Sequence, residues 1–65
     1  MRSDLHDIKM VFQTETERAV CVRSEETGDD VWLPKSQCEI DGEPVRGSVV
    51  TLTAGERLLN EKGLL

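Results

Sequence analysis

Apolar residues alternate from Asp7 to Gln13, with Ile8, Met10 and Phe12 on one side and Lys9 and Gln13 on the other, interrupted by Val11. A period of two predicts a first strand. Thr14-Glu15-Thr16-Glu17 is polar and short enough to turn the chain back. The next run, Ala19-Val20-Cys21-Val22, is apolar on both faces and rich in β-branched residues, so it predicts a central or barrel strand, flanked by Arg18 and Arg23. Between Ser24 and Asp30, Gly28 offers the positive φ that a hairpin loop of this length demands. A third strand over Asp30 to Leu33 then pairs back on the second. Pro34 has no N–H for a ladder and ends that strand, and Lys35-Ser36-Gln37 makes a tight turn or 3₁₀ step. A short fourth strand covers Gln37 to Ile40. Asp41-Gly42-Glu43-Pro44 and Arg46-Gly47 are turn signals, and Ser48 to Leu52 is a fifth strand of high β-propensity.

Beyond Leu52 the period changes. Thr53-Ala54-Gly55-Glu56 fits a capping box, with the Thr53 hydroxyl accepting an N3 backbone proton and Glu56 reaching back to the Thr53 N–H. A helix is therefore predicted over 54–62, stopped by Gly63 in the left-handed conformation, with Leu64 set against Leu59 in a Schellman motif. Leu58, Leu59, Leu64 and Leu65 form its apolar surface, which buries itself against the sheet or against another copy of the chain. These elements predict a mainly β fold with one C-terminal helix. Its sheet is a small five-stranded antiparallel barrel or strongly bent sheet, SH3-like or OB-like in shape. Residues 1–65 make a single small domain, with residues 1–4 flexible.

Size and charge narrow the function. A chain of 65 residues buries only about 60% of its unfolded surface, so turn and cap chemistry, or a partner, must supply part of its stability. Thirteen acids against eight bases give a net charge of -5, which disfavours a broad electrostatic footprint on nucleic acid. The acids concentrate at Glu25, Glu26, Asp29, Asp30, Glu39, Asp41 and Glu43, with Lys35 the one base among them. Such charges keep a small sheet soluble and its edges unpaired, or else make an acidic face for a basic partner. The aromatic content of 3%, Phe12 and Trp32 alone, leaves little for stacking on bases.

Cys21 and Cys38 have no CxxC spacing and one histidine, His6, to help them, so a zinc site lacks ligands. Each lies in an apolar run, where a reduced, buried thiol is expected, with a Cys21–Cys38 disulfide as the alternative. No cofactor or metal is expected, and no catalytic set. His6 lies in a polar N-terminal arm, too weakly held to serve a Cys-His or Ser-His pair. No apolar run approaches the ~20 residues of a membrane span, and a soluble, cytoplasmic protein is expected.

Trp32 is the closest contest. Strand alternation sets it opposite to Val31 and Leu33, so either that pair is buried or the tryptophan is. As the largest burial on offer, Trp32 is expected in the core. The alternative makes it a partly exposed platform, with Lys35, Ser36 and Gln37 beside it as a binding site. Arg18, Arg23, Lys9 and Lys35 are candidates to gather on one face and serve single-stranded nucleic acid.

Three segments occur in one order: Glu15-Thr16-Glu17-Arg18-Ala19, Val31 through Gln37, and a terminal Asn60-Glu61-Lys62-Gly63-Leu64-Leu65. Over residues 14–65 the chain resembles a group of small, mostly uncharacterised proteins of phages, prophages and other mobile elements. That group carries an E-T-x-x-A segment, then W-[LIV]-P-K-S-Q, and a final helix ending K-G-[LIV]. The resemblance implies a compact β-rich domain encoded beside DNA-metabolism and host-takeover genes, with no assigned activity. Cys38, where an aliphatic residue is usual, and a longer Gly42 to Gly47 stretch depart from the pattern. The expected function is non-enzymatic binding of a host or phage protein. The alternatives are a nucleic-acid accessory module using Trp32 and Lys35, or a structural homodimer through Leu58, Leu59, Leu64 and Leu65.

Overall fold

The computed structural model describes residues 4–65. Five antiparallel strands form one sheet: β1 (Leu5–Glu15), β2 (Ala19–Ser24), β3 (Asp30–Pro34), β4 (Cys38–Asp41) and β5 (Val49–Gly55), followed by helix α1 (Glu56–Glu61). The strand order is β3-β2-β1-β5-β4, so the sheet is not closed into a barrel. Its two outermost strands, β3 and β4, are nevertheless successive in the chain, joined by the 3₁₀ turn Lys35–Gln37. As the pattern predicts, β2 is doubly covered: Val20, Cys21 and Val22 are all buried between β1 and β3.

One face of the sheet carries the core. Met10 and Phe12 of β1, Val20 and Val22 of β2, Leu33 of β3, and Val50, Leu52 and Ala54 of β5 meet Leu59 of α1, with Leu58 and Leu64 packed alongside. Side chains at every second strand position point the same way, so the register alone assembles this face: Ile8 opposite Leu52 and Leu52 opposite Ile40, Phe12 opposite Val22 and Val22 opposite Val31. A bulge between Phe12 and Thr14 shifts the register. It interrupts the β1 alternation and leaves Gln13 buried beside the core.

The N-terminal arm and the start of the helix differ from the sequence pattern for a single reason. β1 and β5 pair over seven positions, from Leu5 opposite Gly55 to Val11 opposite Val49. That ladder carries β5 three residues past Leu52 and β1 two residues before Asp7, because each added pair satisfies backbone groups that a helical first turn would leave to caps. His6 is therefore held in a strand opposite Ala54. Asp4, expected to be flexible, is tied down as its carbonyl accepts the Glu56 N–H at 2.9 Å; the remainder of the 1–4 segment lies outside the described residues. Thr53 caps nothing: its hydroxyl donates to Asp7 Oδ1 at 2.6 Å, across the strands. The helix starts two residues later than predicted, with Gly55 at the N-cap and no side-chain cap bond. Its C-terminus follows the prediction. Gly63 lies at φ 73°, Leu64 N–H donates to Leu59 O at 2.8 Å and Gly63 N–H to Asn60 O at 3.1 Å, the paired bonds of a Schellman motif.

Candidate functional site: Trp32 and the outer face of the sheet

The face opposite the core is built by the same register with the other set of positions. Trp32 stands opposite Cys21, and Cys21 opposite Thr14, in one row across β3, β2 and β1. The next row runs Asp30, Arg23, Val11, Val49 across four strands, and Lys9, Thr51 and Asp41 follow in the row beyond. Trp32 is 47% exposed and Val49 56% exposed, with Val11 half-buried between β2 and β5. The expectation of a buried tryptophan is thus overturned. Leu33 and Val31 fit opposite Val20 and Val22 on the core face, and alternation leaves Trp32 no choice but the outside.

Of the tentative platform, Trp32 is exposed on the outer face, and Lys35, Ser36 and Gln37 lie on the 3₁₀ turn that directly follows β3. Lys35 Nζ donates to Glu15 Oε1 at 2.6 Å, an ion pair that ties the 3₁₀ turn to the end of β1, and its backbone N–H donates to Arg18 O at 2.8 Å. Lys35, Ser36 and Gln37 line a shallow depression with Leu5, Cys38, Glu39 and Thr53, of which Trp32 is no part. Beside it, an open cleft of about 330 Å³ is lined by Phe12, Val20, Ile40 and Pro44, with Glu15 and Lys35 at its polar edge.

Of the bases considered together in the sequence, the register brings Lys9 and Arg23 to the outer face, whereas Arg18 and Lys35 meet at the 3₁₀ turn. Arg23 Nε donates to Asp30 Oδ1 at 2.8 Å, with Nη2 at 3.4 Å from Oδ2. This fork holds the Asp30 carboxyl below its ordinary value, chiefly through the hydrogen bonds, and raises that of Arg23. The charge of Arg46 also reaches Asp30 and the Cys21 thiol. Sequence reasoning missed Val11 and Val49 as members of this surface. Val11 had a signal, since it is the residue that breaks the alternation of β1.

Both cysteines are free thiols. Burial raises the pKa of Cys21, with Asp30 adding to the effect and Arg23 and Arg46 opposing it, and burial likewise raises that of Cys38. The Cys38 thiol donates to Pro34 O at 3.3 Å, and His6 lies 4.0 Å from a Glu56 carboxylate oxygen. Raised thiol pKa values oppose the thiolate that nucleophilic chemistry needs. Among the described residues no three His, Cys, Asp or Glu side chains converge on a metal-sized site, and no helix is long and apolar enough to cross a membrane. No family model matches the chain, and neither a curated protein nor a solved structure matches it.

Proposed function

We propose that this chain is a small non-enzymatic binding domain of phage or other mobile-element type, working in the cytoplasm, that holds a protein partner on the outer face of its sheet around Trp32. One observation carries the reading: the only tryptophan is 47% exposed in a row with Cys21, on the same sheet face as Val11 and Val49, while the core is filled without it. Tryptophan exposed on a sheet face is the residue type most enriched at the energetic centres of protein interfaces. The net charge of -5 and the single exposed aromatic favour protein over nucleic acid. The raised thiol pKa values support a non-enzymatic role, and free thiols accord with a reducing compartment.

The same reading takes the sheet as a strongly bent, SH3-like half barrel. Pro34 and Cys38 are four Cα steps apart, a reach of at most ~15 Å. Four strand spacings laid flat would set β3 and β4 about 19 Å apart. Curvature of the sheet reconciles the two lengths and turns the outer face into a convex surface suited to docking in a partner's groove.

A nucleic-acid accessory role stands second, supported by the presence of Lys9 and Arg23 on the tryptophan side. It no longer includes Lys35, which is engaged with Glu15. The homodimer reading retains one leucine: Leu59 is buried, Leu58 and Leu64 pack on the same core, and Leu65 alone is exposed. Affinity capture from host lysate with the wild-type chain and with Trp32→Ala tests the proposal. A protein retained by the first and lost by the second is expected. Equal capture by both removes Trp32 from the interface, and quenching of Trp32 emission by oligothymidylate at low salt transfers the face to nucleic acid.

A further inference from the structure

We infer that the partner adds an extended segment to the open edge of β3 as a sixth strand, with an apolar side chain set beside Trp32; this rests on the reading of the Trp32 face given above. β3 is hydrogen-bonded to a neighbouring strand on one side only, to β2. Ser24 N–H donates to Asp29 O at 3.0 Å and Lys35 N–H to Arg18 O at 2.8 Å. Both bonds continue, at either end, the register that sets Val22 opposite Val31 and Val20 opposite Leu33. In an antiparallel ladder bonded pairs alternate with unbonded ones. Val31 and Leu33 therefore turn N–H and C=O toward β2, whereas Asp30 and Trp32 turn theirs outward, about 7 Å apart along the strand. Nothing on that side meets them among the described residues. The Pro34 carbonyl accepts the Cys38 thiol at 3.3 Å, and the proline nitrogen has no proton to give. The open edge is thus short and ends at the 3₁₀ turn.

The two edges of the sheet differ in how they resist an added strand. Edges are ordinarily kept unpaired by charged side chains. β4 carries Glu39 and Asp41, whereas the one charge of β3, Asp30, is held by Arg23 in their fork. Beyond it stand Val31, Trp32 and Leu33, with the tryptophan side chain exposed. An unpaired main-chain donor, an unpaired acceptor and an exposed aromatic ring thus belong to one residue. An extended segment answers all three. Its main chain repeats at the spacing of the open groups, and its side chain opposite Trp32 falls on the outer face, where β-branched and aromatic residues pair well with an aromatic ring. Main-chain bonding selects the conformation of the occupant, and the tryptophan selects an apolar residue at its centre.

The test uses the whole chain, labelled with nitrogen-15, and a tryptophan-free probe, N-acetyl-Thr-Val-Thr-Val-Thr-amide. Beside it stands the same peptide N-methylated at every residue, which keeps the side chains but donates no main-chain proton. In the free chain the Asp30 and Trp32 amides should exchange rapidly with deuterium, while those of Val31 and Leu33 are protected. The probe should slow exchange at Asp30 and Trp32, shift Trp32 emission to the blue, and bind roughly tenfold tighter than the methylated peptide. A synthetic chain with an ester oxygen in place of the Trp32 N–H keeps the side chain and should bind the probe about two- to tenfold more weakly; its melting temperature checks that it folds. A Trp32 amide as protected as that of Leu33 in the free chain overturns the inference, since the edge is then closed. Protection that rises with protein concentration gives the edge to a second copy and overturns it too. Equal binding of the two peptides, or no binding of the probe at millimolar concentration, overturns strand addition as well. In each case the lysate comparison of wild type with Trp32→Ala independently decides whether the Trp32 face binds protein.

Discussion

Trp32 and Leu33 are neighbours with opposite fates, and the difference is measurable. Leu33 is fully buried against Val20 while Trp32 lies outside. Leu33→Ala should cost about 2–5 kcal/mol, whereas Trp32→Ala should cost less than about 1.5 kcal/mol. Urea denaturation followed by circular dichroism distinguishes the two, and a larger loss for Trp32→Ala would contradict its outward position. The Arg23–Asp30 fork predicts a pH dependence. The folded-state pKa of Asp30 is depressed, so its contribution is present above the unfolded value near 3.8 and is lost as pH falls through the lower folded value. Melting temperatures below pH 4 should therefore fall less steeply in Asp30→Asn than in the wild type, with the two curves parallel at neutral pH. At this scale the sequence was half legible. Alternation reduces Trp32 to two orientations, and the joint fit of Val31 and Leu33 opposite Val22 and Val20 outweighs the larger area of one tryptophan, so the core takes that pair.

Among the elements, the strands were legible because their signal is local: alternation in β1, a β-branched run in β2, Pro34 ending the β3 pattern. The junction of β5 with α1 was not, since a strand and a capping box compete there for the same backbone groups. Thr53-Ala54-Gly55-Glu56 satisfies the cap pattern, yet pairing with residues 5–7 supplies partners from a segment some 46 positions away. Thr53 consequently acts in the sheet. Thr53→Val keeps the β-branched shape and removes the hydroxyl bond to Asp7, so it should destabilise by about 0.5–1.5 kcal/mol without reducing helical content. If Thr53→Val instead lowers the far-UV helical signal of the folded protein, Thr53 caps the helix after all. The C-terminal end was read correctly because the Schellman motif is closed by residues adjacent in sequence, with Gly63 at positive φ.

For the whole molecule, α1 is short but decisive. Six residues form no stable helix alone; what holds them is Leu59, fully buried under the sheet. A domain of 65 residues has a total stability of roughly 3–10 kcal/mol. Leu59→Ala, at about 2–5 kcal/mol, should leave a substantial unfolded fraction at 37 °C, visible as lost amide dispersion by NMR. The wild-type chain should sediment as a monomer at high concentration, because Leu65 is all that remains exposed of the terminal leucines.

The amino-acid order alone determined that five short strands precede one helix, where Pro34 and Gly63 interrupt them, and that the molecule is acidic. These properties depend on residues within a few positions of one another or on simple counts. Which face Trp32 occupies, that Lys35 is engaged by Glu15, that Thr53 belongs to a strand, and that Val11, Val49, Lys9 and Arg23 share one surface were decided by pairing between distant segments. Register joins residues that no sequence period connects, and a chain this small has one core face to fill. The side chains left on the other face form its outer surface, Trp32 among them.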